Sequence, residues 1–297
     1  MKILHQCYPC LLQHINNLIE NLKLDDEQAQ NVLDTTLTLI LHRKESDTTQ
    51  HIVRGIYDYI HQSYFPKQDD FDPYREIKNE SNRLVATALP AFRRMLQGAE
   101  DPLRLAVRGA AAGNIIDYGA AAGHTINIED EIQKIPSLEF GCEHIAAFRT
   151  AVQKANSILY LADNAGEIIF DSLLIEQIAQ ANPKAAIYLA VREKPIINDV
   201  TISDAKALVA GGNLQLPECA RLISSGSPYP GTVLTECTPE FQQLFANAGL
   251  VISKGQGNYE TLCETIHPSL FYILRVKCEP VARQTGIEKG KLILMQS

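Results

Sequence analysis

Asp163-Asn164-Ala165-Gly166-Glu167 follows the short apolar run Ile158-Leu159-Tyr160-Leu161-Ala162 and opens an amphipathic run from Ile168 to Ala179. The pattern predicts a strand that delivers a carboxylate and an amide to the start of a helix. Both side chains carry hard oxygen donors of the kind Mg²⁺ or Mn²⁺ takes, and the unpaired N–H groups of a helix start at Gly166 favour an anion beside them. Metal and phosphate can share one pocket there. A single Asp after a strand is also a common helix cap, so the ligand reading leans on a second acid.

That acid is Asp199. It lies in Val191-Arg192-Glu193-Lys194-Pro195-Ile196-Ile197-Asn198-Asp199-Val200-Thr201, a loop that packs two cations and an Asn-Asp pair behind the next apolar run. Asp163, Asn164 and Asp199 make a three-ligand site and leave the other positions of an octahedral ion to water and substrate. Downstream, Lys254-Gly255-Gln256-Gly257-Asn258 follows another apolar run. Its glycines let backbone N–H groups approach an anion and its lysine supplies a point charge, so Lys254, Gly255, Asn258 and Arg192 are candidate phosphate contacts. The segment is neither a Walker A sequence nor G-x-G-x-x-G, and a plain surface loop has the same composition. In Gly113-Asn114-Ile115-Ile116-Asp117, Asn114 and Asp117 stand three apart on one helix face, either as a helix-packing hydrogen bond or as a side wall of the same pocket.

Cys7-Tyr8-Pro9-Cys10 has C-x-x-C spacing without a second such pair, and Cys142, Cys219, Cys237, Cys263 and Cys278 are scattered. A four-cysteine zinc site is unsupported, and the expectation is a buried pair of free thiols on the first helix, dispensable for hydrolysis. There is no G-x-S-x-G elbow.

Elements of two kinds must position these residues. Residues 1–150 read as a helical domain, with helical apolar spacing in Leu11–Leu22, Ala29–Leu41 and Ile52–Tyr64, a proline-bounded polar connection at 65–73, and further helices from Tyr74 to Arg94 and Pro102 to Ala121. Residues 151–297 read as an α/β/α domain. Its candidate strands are Ser157–Ala162, Ala186–Arg192, Arg221–Ser225, Leu250–Ser253 and Leu270–Lys277, separated by helices at Glu167–Ala181, Ser203–Ala210, Pro239–Ala248 and Tyr259–Thr265. The predicted fold class is α/β, a Rossmann-like three-layer α/β/α domain with a mostly parallel sheet plus the N-terminal all-helical domain. Ligands of such sheets bind beyond the carboxyl ends of the strands, the edge at which Asp163, Arg192 and Lys254 fall.

Charge and composition narrow the function. A chain of 297 residues with 45% hydrophobic and 21% charged content can bury a sizeable core. Its 27 basic and 35 acidic residues give a formal charge of −8 and form no basic stripe, which argues against nucleic-acid and membrane partners. No stretch approaches the roughly 20 apolar residues that span a bilayer and the first residues lack a signal-peptide core, so a cytoplasmic protein is expected. Seven cysteines in a chain of this size fit free thiols in a reducing compartment.

Six motifs in order, Cys7-x-x-Cys10, Asp72-Pro73-Tyr74, Gly113-Asn114-x-x-Asp117, Asp163-Asn164-x-Gly166-Glu167, Arg192-x-x-Pro195-x-x-Asn198-Asp199-x-Thr201 and Lys254-Gly255-Gln256-Gly257-Asn258, resemble the DUF89 family of damage-control phosphatases, the ARMT1-like metal-binding domain family. The N-terminal C-x-x-C is similar to its stand-alone prokaryotic branch. The resemblance implies a helical domain on a Rossmann-like domain and a divalent-metal-dependent phosphatase, with Mg²⁺, Mn²⁺, Co²⁺ or Ni²⁺, acting on a small phosphorylated metabolite. It implies metal ligands at Asp163, Asn164 and Asp199 and a phosphate-binding lysine at Lys254. The R-T-x-K motif of related eukaryotic proteins is missing, since Arg149-Thr150 continues as Ala151-Val152, and their sugar-phosphate preference does not carry over. Metal-activated water is the preferred nucleophile over Asp163 itself, because a cation-bound carboxylate attacks poorly. Two other readings stand beside this one: carboxyl methyl transfer from S-adenosylmethionine, and a non-catalytic protein that binds metal and phosphometabolite.

Overall fold

The computed structural model describes residues 1–113 and 128–297. Helices α1 (Cys7–Leu22), α2 (Asp26–Leu41) and α3 (Thr49–Tyr64) come first. In α1 the buried positions Leu11, Ile15, Leu18 and Ile19 recur at helical spacing, and the helix stops at Lys23 in the left-handed region. Asp25 starts α2 with a reciprocal capping box to Gln28. These helices share a core of Leu11, Ile15, Val32, Ile52, Ile56 and Ile60, and Ile196 from the predicted metal-ligand loop inserts into it. The helical part therefore holds that loop directly.

Two further helices, α4 (Arg75–Gln97) and α5 (Pro102–Ala112), and the short α6 (Ile128–Lys134) turn toward the sheet. Val85, Phe92, Leu103 and Val107 pack with Ile168, Phe170 and Leu174 in the largest core cluster. Lys78 on α4 is buried between Asp72 at 2.6 Å and Asp204 at 2.6 Å, which ties the 72–74 motif to the α/β layer.

The remaining elements are β1 (Phe140–Glu143), α7 (Ile145–Lys154), β2 (Ser157–Leu161), α8 (Glu167–Ala181), β3 (Ala186–Val191), α9 (Ile202–Ala210), β4 (Ala220–Ser224), α10 (Pro239–Asn247), β5 (Leu250–Lys254), α11 (Gly255–Leu262), β6 (Leu270–Arg275), α12 (Glu279–Thr285) and β7 (Leu292–Gln296). The seven strands form one sheet in the order β1-β7-β6-β5-β2-β3-β4, parallel except for the β6–β7 pair. This is the mixed α/β architecture expected, and five strands stand within about two residues of their predicted positions.

Two strands go beyond the sequence reading. Half-exposed β1 has four residues and too little apolar character to read as a strand, while β7 is an antiparallel strand at the chain end, outside the βα alternation. With β1, the sheet takes in residues before position 150. A second difference lies at 255–258, where the glycine-rich stretch is the first turn of α11 and not a loop before a helix at Tyr259. Among the described residues no helix is long and apolar enough to cross a membrane.

Candidate active site

Chain order passes from β2 outward through β3 and β4, then returns to the other side of β2 as β5. The order in which the chain adds parallel strands thus reverses between β2 and β5, and a crevice forms where the following segments part to opposite faces. Asp163 and Asn164 leave the end of β2 into this crevice, and Gly255 leaves the end of β5 beside them.

A short ladder brings Asp199 to the same place. Val200 N–H donates to Asp163 O at 3.0 Å and Ala165 N–H donates to Asn198 O at 2.9 Å, so Asn164 and Asp199 pair as an antiparallel bridge. Ile197 precedes this bridge with φ 48°, a conformation a β-branched residue rarely adopts. Its N–H donates to the Tyr57 hydroxyl at 3.1 Å, so α3 braces the strained turn.

The three predicted ligands are therefore gathered, and all are buried: Asp163 is 6%, Asn164 7% and Asp199 4% exposed. Burial, together with Glu167 and Asp199, pushes the Asp163 carboxyl well above its ordinary range against the opposing charges of Lys277 and Arg192. Burial also raises Asp199, opposed by Arg192. Arg192 donates from Nε to Asp199 Oδ2 at 2.8 Å and from Nη2 to Asn258 Oδ1 at 3.0 Å. Asn258 in turn donates to Ala162 O at 3.0 Å and Lys254 O at 2.7 Å, and accepts from Thr232 at 2.7 Å. Arg192 and Asn258 are thus a buried clamp between the β2, β3 and β5 ends.

Lys254 is fully buried, with Nζ 2.6 Å from Asp171 Oδ1 and 3.4 Å from Glu167 Oε2. Burial works against its charge, but the two carboxylates outweigh it and raise its pKa. Gly255 has φ 77°, and a Cβ there would collide with the Asp163 carboxylate, so only glycine admits that close approach. Gly166 also has a positive φ, and its N–H donates to Asn82 Oδ1 at 2.7 Å. Asn114 and Asp117 lie outside the described residues, and Gly113 before them stands against Glu167.

A cavity of about 330 Å³ opens onto the cluster, bounded by Asp163, Asn164, Asp199, Gly231 and Gly257 on the sheet side and by Cys7, Cys10 and His14 of α1 on the other. Lys277 and Cys278, after β6, complete its wall. A larger cleft of about 1030 Å³ takes in Lys194 and Thr201 but none of the three candidate ligands, so the smaller cavity is the chemically equipped one. The expected buried thiol pair is split, with Cys7 buried and Cys10 exposed, and both border the acids from which sequence distance separated them.

The donor set fits a dication. Among the described residues of the cluster, four buried acids, Asp163, Glu167, Asp171 and Asp199, face two buried bases, Arg192 and Lys254, a formal excess of two acidic groups. Each cation is already committed to a carboxylate other than Asp163. No trio of His, Cys, Asp or Glu is grouped to hold an ion among the described residues, and here an amide stands third beside two acids. Sequence reasoning places Glu167 in the Asp163-Asn164-x-Gly166-Glu167 motif without a role and passes over Asp171, although two acids four apart in residues 167–175, otherwise apolar but for Ser172, are the signal that marks them. For Lys277, an isolated lysine after a strand carried no such signal.

Relatives match this chain over nearly its whole length. The model of the damage-control phosphatase ARMT1-like domain matches residues 3–293. The chain is 30% identical to a damage-control phosphatase of Pyrococcus horikoshii over 100% of this chain and 99% of that protein, and 29% identical to one of Archaeoglobus fulgidus over 99% and 98%. A crystal structure of a DUF89 family protein from Pyrococcus horikoshii superposes with a TM-score of 0.85 at 28% identity, covering 100% of this chain and 99% of that one. Those relatives' names support a phosphatase. Because the family match takes in the β2 end, the ligand loop and the start of α11 together, the chain belongs to the damage-control phosphatases of the ARMT1-like domain family.

Proposed function

We propose that this protein is a divalent-metal-dependent phosphatase acting on small phosphorylated metabolites. The observation that carries the reading is the gathering of two buried acids and an amide, Asp163, Asp199 and Asn164, at the sheet's switch point, where burial disfavours bare carboxylates and one Mg²⁺, Mn²⁺, Co²⁺ or Ni²⁺ ion would offset their charge. Asp163, Asn164 and Asp199 would hold the ion. When bound, it supplies Lewis-acid charge to a phosphoryl oxygen and acidity to water.

The chain's own groups do the rest. Arg192 and the Gly231 N–H both donate to Asp199 Oδ2, which aims that carboxylate and opposes the rise in its pKa that burial causes. Lys277 is exposed on the cavity wall and its charge reaches Asp163, so it supplies a mobile cation for the substrate's phosphate. The first turn of α11 borders the same space through Gln256 and Gly257, where a helix start favours an anion. A cavity of about 330 Å³ suits a small metabolite.

The test is release of inorganic phosphate from an aryl phosphate and a panel of phosphorylated sugars and cofactors by chelator-treated protein, with and without each metal. Turnover should require metal, and Lys277→Ala should raise KM by about tenfold or more, the loss of one charge-assisted contact. Metal-loaded protein that releases phosphate from none of them overturns the proposal.

A further inference from the structure

Lys254 sits where sequence reasoning puts a phosphate contact, yet its ammonium is enclosed and turned to carboxylates. Its Nζ is 2.6 Å from Asp171 Oδ1 and 3.4 Å from Glu167 Oε2, and Lys254 and Asp171 are both wholly buried. The other oxygen of Glu167, Oε1, accepts from Asn164 Nδ2 at 2.9 Å. The Tyr160 hydroxyl adds a donor to Asp171 Oδ1 at 2.8 Å. A continuous polar path therefore runs from the end of β5, through the first turns of α8, to one of the three candidate ligands.

We infer that Lys254 is a positioning residue, which acts through Glu167 to fix the side-chain amide of Asn164 so that its oxygen and not its nitrogen is offered to a cation. Glu167 Oε1 accepts from Asn164 Nδ2, so the nitrogen of the amide is committed to the carboxyl group. That commitment leaves Oδ1 as the donor atom for an ion. Without it, the two ends of the amide are nearly equal in size and can exchange, and a turned amide presents NH₂ to the cation. Lys254 Nζ stands between Glu167 and Asp171, two acids one helical turn apart, and so holds the Glu167 side chain in place through Oε2. Asp171 Oδ2 has no hydrogen-bond partner and is shielded from water. This assignment rests on the metal-dependent reading of the site, and its test separates the two.

Mn²⁺ is titrated calorimetrically into chelator-treated wild type, Glu167→Gln, and the charge-balanced double variant Lys254→Met with Asp171→Asn, and kcat, KM and inhibition by inorganic phosphate are measured at saturating Mn²⁺. Glu167→Gln is close in shape to the native side chain, so it remains informative if the double variant does not fold by circular dichroism. Both variants should lose about tenfold or more in Mn²⁺ affinity and fall in kcat, while KM and phosphate inhibition stay within about threefold of wild type. Wild-type Mn²⁺ affinity in Glu167→Gln overturns the positioning role. So does a double variant with wild-type Mn²⁺ affinity, raised KM and lost phosphate inhibition, which would make Lys254 a substrate contact. Wild type that neither binds Mn²⁺ nor releases phosphate overturns the functional reading itself, and this inference with it.

Discussion

Gly255 touches the Asp163 carboxylate through bare backbone, at a φ that side chains avoid. Alanine there must either displace the carboxylate or shift the start of α11. We expect Gly255→Ala to cost on the order of 1–3 kcal/mol of stability, read from urea midpoints, and to weaken Mn²⁺ binding in the same protein. His14 tests a different property of the cavity. Its Nε2 is enclosed without a partner, and burial lowers its pKa from 6.5 to about 4. An unfolded chain therefore binds the proton first, so the contribution of neutral His14 is complete above about pH 6.5 and is lost as pH falls toward 4. Between pH 7 and pH 5 this amounts to about 2 kcal/mol, and His14→Gln should show a correspondingly smaller change in urea midpoint over that interval. An equal change in both proteins would remove His14 as the cause. At this scale the acids were legible because Asp163 and Asp199 each follow a strand, where an α/β sheet exposes its chemistry. The direction in which Lys254 points was not, because it depends on Glu167 and Asp171, which come from a helix packed on the sheet.

Among the elements, the loop at 193–201 is the one whose shape the site depends on most. It carries Asp199, it anchors Ile196 in the core of α1–α3, and it holds Ile197 at φ 48° against the Tyr57 hydroxyl. Tyr57→Phe leaves the Ile197 N–H without its acceptor at a partly buried position, and we expect a loss of about 1–2 kcal/mol together with a several-fold drop in Mn²⁺ affinity. Unchanged affinity in a destabilised Tyr57→Phe protein would show that the bridge to Asn164 sets Asp199 without help from α3. Helices α1–α5 and α8–α11 and the five regular strands could be read from periodicity and punctuation, because burial on both faces makes such strands continuous apolar runs, whereas that reading passes over α6, α7 and α12. Strand β1 escaped because four half-exposed residues carry too little apolar signal, and β7 because it joins β6 antiparallel, outside the βα alternation.

In the molecule as a whole, the site exists only where the two parts meet. The sheet's switch point supplies the acids, while α1 and α3 close the cavity over them and brace the ligand loop. Burial disfavours the bare carboxylates of Asp163 and Asp199 unless something positive enters, and that cost is the physical content of the metal-dependent reading. The thiols of Cys7 and Cys10, far from Asp163 in sequence, arrive at its cavity because α1 packs over the strand ends, a relation that no local pattern encodes. The most direct test of the central claim is a calorimetric titration of Mn²⁺ into chelator-treated wild type and Asp163→Asn. The account predicts saturable binding to the wild type, and an affinity at least about tenfold weaker when the charge at 163 is removed and the shape is kept. Equal binding by the two proteins would contradict it.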